Sequence, residues 1–226
     1  MSTSFSSWRT MSESEHLVQF YQDEKYLMNS LINYIGKGIT KGDSCIIIAT
    51  KEHRDNLKVY LHNIGINIAD LETHNKYIAL DAEETLSQFM VKNIPDAKRF
   101  KKVVGGVIAT MSNPPFCIRA FGEMVAILWQ KGNKNAALQL EKMWNDLAKE
   151  HSFSLFCAYP IEVFKDDDNE TSFKSVCSEH TKIIPVEEES VLIKEINKFH
   201  EIALLQQNVW FLKNKLENKK MAFNKV

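Results

Sequence analysis

Two carboxylates, Asp81 and Glu123, each follow a short apolar run and precede a helix-forming segment. In an open α/β sheet that junction is the C-terminal end of a strand, where ligands collect. Carboxylates there can exchange protons or hold a cation, and as residues opening a helix they can equally cap it. A similar junction in CIIIATKEHRDNL (45–57) carries Thr50, His53 and Arg54, a hydroxyl, an imidazole and a guanidinium suited to an anion at a helix N-terminus. Thr50 also fits as the N-cap of that helix. Earlier, His16 with Phe20 and Tyr21 sets an imidazole and two aromatic rings ahead of the first helix, able to line a pocket or to serve structurally. Cys177 and His180 have the C-x-x-H spacing of half a zinc site, but the other half would have to come from distant positions.

Several chemistries lack their motif. A phosphate loop reads G-x-x-x-x-G-K-[ST], so that backbone N–H groups converge on phosphate oxygens. The turn after Thr50 contains no glycine, and neither GKG (36–38) nor GG (105–106) has the required spacing. The G-x-S-x-G elbow of a serine hydrolase is missing, and no cysteine sits in a nucleophile motif. The sequence therefore assigns no catalytic residue, no metal ligands and no cofactor, and binding is the expected chemistry.

These residues need a frame. The runs CIIIAT (45–50), YIALD (77–81), FCIRAF (116–121) and FSLFCAY (153–159) alternate with helical segments, the pattern of a mainly parallel sheet covered on both faces. The fold class is α/β. Helices are expected over 23–38, ended by the glycines of GKGITKGD (36–43); over 51–65, ended by Gly65; from Asp81 to about Val91; over 96–111, weakened at Gly105 and Gly106; over 123–132; over 134–151, with Asn133 as cap; and over 171–180. Residues 66–75 read as a loop, 165–170 as an acidic solvated loop, and 182–186 as a last short strand.

With 226 residues and 44% hydrophobic composition the chain can bury a sizeable core. Its 28 basic and 29 acidic residues leave a formal net charge of −1, which disfavours non-specific binding to nucleic acid. No apolar run approaches the ~18 residues of a membrane span, and the polar N-terminus does not read as a secretory signal, so a cytoplasmic location is expected. The four cysteines are widely spaced and suit reduced thiols. Residues 187–220 lack Gly and Pro and carry two short apolar seams. They are expected to form a long helix, either a dimeric coiled coil or one docked on the globule.

Taken in order, HLVQFY (16–21), GITKGDSCIIIAT (38–50) with His53 and Arg54, LDAEETLSQFM (80–90), RAFGEMVAILWQKGN (119–133), AALQLEKMWNDLA (136–148), FSLFCAYP (153–160) and CSEH (177–180) resemble the MEDS family of methanogen and methylotroph sensory domains. The resemblance covers about 14–186, after a flexible N-terminus (1–13) and before the helix of 187–220 and a tail (221–226). It implies a RecA/KaiC-like three-layer fold with a degenerate phosphate loop and a signal-input role, with small hydrocarbon derivatives as ligands. His16, Tyr21, Thr50, His53, Arg54, Asp81 and Glu123 are its matching positions. Because no helix-turn-helix or kinase segment is recognisable, output is expected through a partner such as a histidine kinase or regulator, by way of 187–220. Two rival readings are a weak RecA-like nucleotide hydrolase using Glu123 or Asp81, and a scaffold with a vestigial pocket.

Overall fold

The computed structural model describes residues 14–111, 117–164 and 170–184. The chain divides into two compact units, Met1–Pro185 and Val186–Val226. The second unit lies outside the described residues, and with it the expected helix of 187–220; so does the acidic loop apart from Glu170.

The centre of the first unit is a six-stranded sheet in the order β3-β2-β6-β7-β1-β8, with every pairing parallel. Its strands are β1 (His16–Tyr21), β2 (Ser44–Ala49), β3 (Tyr77–Asp81), β6 (Ile118–Gly122), β7 (Ser154–Pro160) and β8 (Lys182–Ile184). β2 and β6 are buried along their whole length, as both-face coverage requires. One face meets α1 (Glu24–Lys41), α2 (Lys51–Asn63) and α3 (Ile68–Thr73), whose Leu27, Leu31, Tyr34, Ile35, Leu57, Leu61 and Ile68 pack with Cys45, Ile47, Phe121 and Phe156. The remaining helices are α4 (Ala82–Phe89), α5 (Ala97–Phe100), α6 (Gly106–Met111), α7 (Met124–Gln130), α8 (Lys134–Glu150) and α9 (Glu170–Ser178). Aromatic contacts tie α5 to α8 (Phe100 on Trp144 at 5.2 Å), α7 to β7 (Trp129 on Tyr159 at 5.8 Å) and α9 to β1 (Phe173 on Phe20 at 4.5 Å). The outcome is the expected α/β layering, with the helices on both sides of one sheet.

Several local expectations change. HLVQFY is a strand inside the sheet, not a lead-in to the first helix. α1 runs through Gly36 and Gly38 and stops only where Gly42 takes the left-handed conformation, φ 89°. Gly38 is required inside that helix because a Cβ there would lie 2.4 Å from Cδ of Arg119. Arg119 is buried, donating to Asp43 at 2.8 Å and to the Tyr34 carbonyl at 3.0 Å. The expected loop 66–75 contains α3, capped by Asn67. The helix after Asp81 ends at Phe89, and residues 90–95 form a small antiparallel hairpin of β4 (Met90–Val91) and β5 (Ile94–Pro95), turned by Lys92 and Asn93 at positive φ. The weakness expected at Gly105 and Gly106 takes the form of a π-helical turn, Lys101–Gly105, between α5 and α6.

Candidate functional site

β3, β2 and β6 are neighbours, with Ala49 opposite Asp81 and Ile48 opposite Gly122. Their C-terminal ends therefore bring Thr50, Asp81 and Glu123 to one sheet edge. β1 ends at the same edge with Tyr21, and α1 begins there with Glu24.

Glu123 precedes α7 yet makes no side-chain cap to it, which corrects its reading as the cap of its own helix. One carboxylate oxygen accepts the Thr50 backbone N–H at 2.7 Å, and the other contacts Nδ1 of His53. Thr50 is the N-cap of α2, its hydroxyl accepting the His53 N–H at 3.4 Å. Glu123 thus occupies the N-terminus of the neighbouring helix, the position in which a bound anion would sit.

The second nitrogen of His53, Nε2, lies 2.6 Å from a carboxylate oxygen of Glu24, so one imidazole bridges two carboxylates. With acceptors on both sides, both ring nitrogens act as donors, which is the protonated form. Burial works against that charge, but the Glu123 hydrogen bond and charge, with Glu24 adding to them, raise the His53 pKa to about 9. Tyr21 lies beside the same carboxylates. Burial first, then the charges of Glu24 and Glu123, push its phenol far above the usual range, so it stays a hydroxyl donor.

A second ion pair stands next to the first. Arg54 donates to the Ala49 carbonyl at 2.7 Å and to Asp81 at 2.8 Å. Asp81 caps α4, accepting the N–H groups of Glu83 and Glu84, both at 3.0 Å. Those backbone bonds, led by that of Glu84, and the Arg54 hydrogen bond lower its pKa. The carboxylates of Glu24, Asp81 and Glu123 each have a protein partner at this edge.

Six of the seven expected positions, Tyr21, Thr50, His53, Arg54, Asp81 and Glu123, therefore share one edge. His16 does not. It begins β1, about 16 Å from Tyr21 at ~3.3 Å per strand residue, and is buried beside Glu141, Cys157 and His180. His180 turns toward that group, and Cys177 is outside it. Among the described residues a hollow of about 150 Å³ lies between α5 and α8, lined by Phe100, Met143 and Leu147 among others, away from the edge residues.

Glu24 and Glu141 went unnoticed in the sequence. Glu24 is one more acidic residue in a helix's first turn. Glu141 carried a usable signal, since it interrupts the apolar stripe Ala137, Leu140, Trp144, Leu147 of α8 and is fully buried.

A family model described as MEDS, the methanogen/methylotroph, DcmR sensory domain, matches residues 15–175. None of the curated proteins compared with the chain matches it. Among solved structures, the KaiC-like protein PH0186 from the hyperthermophilic archaeon Pyrococcus horikoshii OT3 superposes with a TM-score of 0.53 at 11% identity, over 80% of this chain and 76% of that one. A second protein of the same organism, PH0250, does so with a TM-score of 0.52 at 11% identity, over 80% of this chain and 85% of that one. At such identity the likeness is one of fold: the chain shares the KaiC-like, RecA-like architecture.

Proposed function

We propose, from the premise that the chain belongs to the MEDS family of sensory domains, that it is a non-enzymatic input module whose ligand is a small organic molecule bound at the sheet edge. The observation that carries this reading is Glu123 on the Thr50 amide. A phosphate brought to α2 would meet a carboxylate in its place and lose the backbone donor that a phosphate loop supplies. The edge is thus built against nucleotide polyphosphates.

The same edge suits a ligand with one polar group. Glu24 is the weak partner in the His53 bridge, because its side chain is 62% exposed while that of Glu123 is 6% exposed. A neutral hydroxyl or carbonyl compound, such as a small hydrocarbon derivative, can take over the donor at His53 Nε2 and release Glu24. That exchange alters how the start of α1 is tied to α2 and β6, giving the ligand a differential contact between two states. The output would pass to a protein partner such as a histidine kinase or regulator through residues 187–220, whether as a homodimer or by release of that segment.

Thermal unfolding of the full chain tests the reading. At about 100 times its dissociation constant a ligand adds ~2.7 kcal/mol. A panel of small alcohols, aldehydes and halogenated methanes is expected to contain a stabilising compound whose effect is lost in His53→Gln. Magnesium with ATP or GTP is expected to leave the transition unchanged. Stabilisation by nucleotide alone would replace the sensor with a RecA-like nucleotide binder, and no shift with any compound would favour a scaffold.

A further inference from the structure

On the sheet face opposite α1, the strands β1 and β7 and the helix α8 enclose four ligating groups with no part in the edge cluster. His16, Val18 and Phe20 alternate along β1 with the same facing as Leu155, Cys157 and Tyr159 of β7, because the register pairs His16 with Leu155 and Val18 with Cys157. Glu141 comes from α8, and His180 from the turn after α9. We infer that His16, Glu141, Cys157 and His180 form a closed binding site for a zinc-class divalent cation.

The first support is spacing. Nε2 of His16 lies 3.3 Å from a Glu141 oxygen and 3.5 Å from Sγ of Cys157. Sγ lies 3.6 Å from the same Glu141 oxygen, and Nε2 of His180 lies 3.5 Å from the other. All four donors fall within 4.8 Å of one another. Tetrahedral zinc, with bonds of ~2.0–2.3 Å to N, O and S, requires donor-to-donor edges of roughly 3.3–3.8 Å. The four separations given lie in that range, and the remaining ones lie within 4.8 Å.

The second support is the direction of the lone pairs. Nδ1 of His180 donates to the Val176 carbonyl at 2.7 Å. That bond fixes the proton on Nδ1 and leaves an Nε2 lone pair directed at a carboxylate. This Nε2 is buried and has no hydrogen-bond partner, and its side chain is 0% exposed. His16 repeats the arrangement: Nδ1 faces Oδ1 of Asn145 at 2.8 Å. The amide of Asn145 is oriented by its own NH₂ group, which donates to the carbonyl and carboxylate of Glu179 at 2.9 and 3.1 Å. Histidines that ligate metals characteristically give their outer N–H to such an acceptor, which aims and enriches the inner nitrogen. The Tyr159 hydroxyl donates to Glu141 at 2.6 Å and holds the carboxylate in the same way.

Two imidazoles, one carboxylate and one thiolate make a donor set for a borderline cation such as Zn²⁺, not for Mg²⁺ or Ca²⁺. Four protein ligands with no open position make the site structural, a staple between the first strand and the last helical turn of the described fold. Cation binding takes the Cys157 sulfur as thiolate, and the thiol proton leaves to solvent as the sulfur–metal bond forms.

The experiment is titration of the full-length, chelator-treated chain with Co²⁺, read by absorption, together with metal analysis of the chain as purified. One equivalent per chain is expected, with a thiolate-to-cobalt charge-transfer band that Cys157→Ser removes and Cys177→Ser retains. Zn²⁺ is expected to displace the cobalt and raise the melting temperature of the wild-type chain. Asn145→Ala, which leaves all four ligands in place, is expected to weaken Co²⁺ affinity by about 10–100-fold. A wild-type chain that binds no Co²⁺, binds it without a thiolate band, or keeps the band in Cys157→Ser overturns the site. The stoichiometry and the band are read on wild-type protein, so the test survives a variant that does not fold. The sheet-edge sensor stands or falls separately, since its organic ligands are tested without metal and its nucleotide arm adds only magnesium, which this donor set does not suit.

Discussion

His53 joins more of the sheet edge than its neighbours do, because its two nitrogens reach carboxylates on different elements. Its folded pKa of about 9 exceeds the ordinary 6.5, so its contribution is fully present below about pH 6.5 and is lost as pH rises through 9. Urea unfolding between pH 6 and 9.5 should show stability falling by on the order of 1–2 kcal/mol, moderated by screening at the exposed Glu24. His53→Gln should flatten that slope. Glu123→Gln should remove most of it as well, and should leave the Thr50 N–H with an amide oxygen in place of a carboxylate. A different residue sets the packing below: Gly38→Ala would drive a methyl group into Arg119, whose guanidinium is fixed by Asp43. A loss of about 1–3 kcal/mol is expected from denaturant midpoints. Thr50 and Asp81 were legible as caps because an N-cap is a local pattern. The role of Glu123 was not, since its partner His53 stands 70 positions away.

At the scale of elements, the passage from α5 to α6 offers a controlled comparison of adjacent glycines. Gly106 has ordinary helical angles, φ −59° and ψ −43°, and an added Cβ there would meet nothing within 4 Å. Gly106→Ala should therefore stabilise the chain by ~0.4–1 kcal/mol, chiefly by restricting the unfolded state, and raise the melting temperature. At Gly105 the Cβ would come within 3.1 Å of Leu147, so Gly105→Ala should gain less than its neighbour in the same assay. Five strands of the sheet and the helices other than α3 were readable from periodicity and from runs of apolar and β-branched residues. β1 was not, because His16 and Gln19 break its apolar run and only burial on both faces explains them. α1 extended past its glycines for a tertiary reason, the accommodation of Arg119, that no local pattern contains.

For the whole molecule, the strand order predicts a gradient of protection. β2, β6, β7 and β1 are interior strands, and β3 and β8 are the edges. Amide hydrogen exchange should be slowest in β6 and β7 and fastest in the three-residue β8. The parallel α/β class was legible because helical and apolar segments alternate, but the order was not, since pairing depends on which helix crosses which face. That order also has a consequence for the ribosome. β1, which emerges before the other described strands, lies between β7 and β8, the last two of them. It must wait for residues 154–184 before either flank can pair, so translation rate and chaperone access while it waits would govern the yield of native protein.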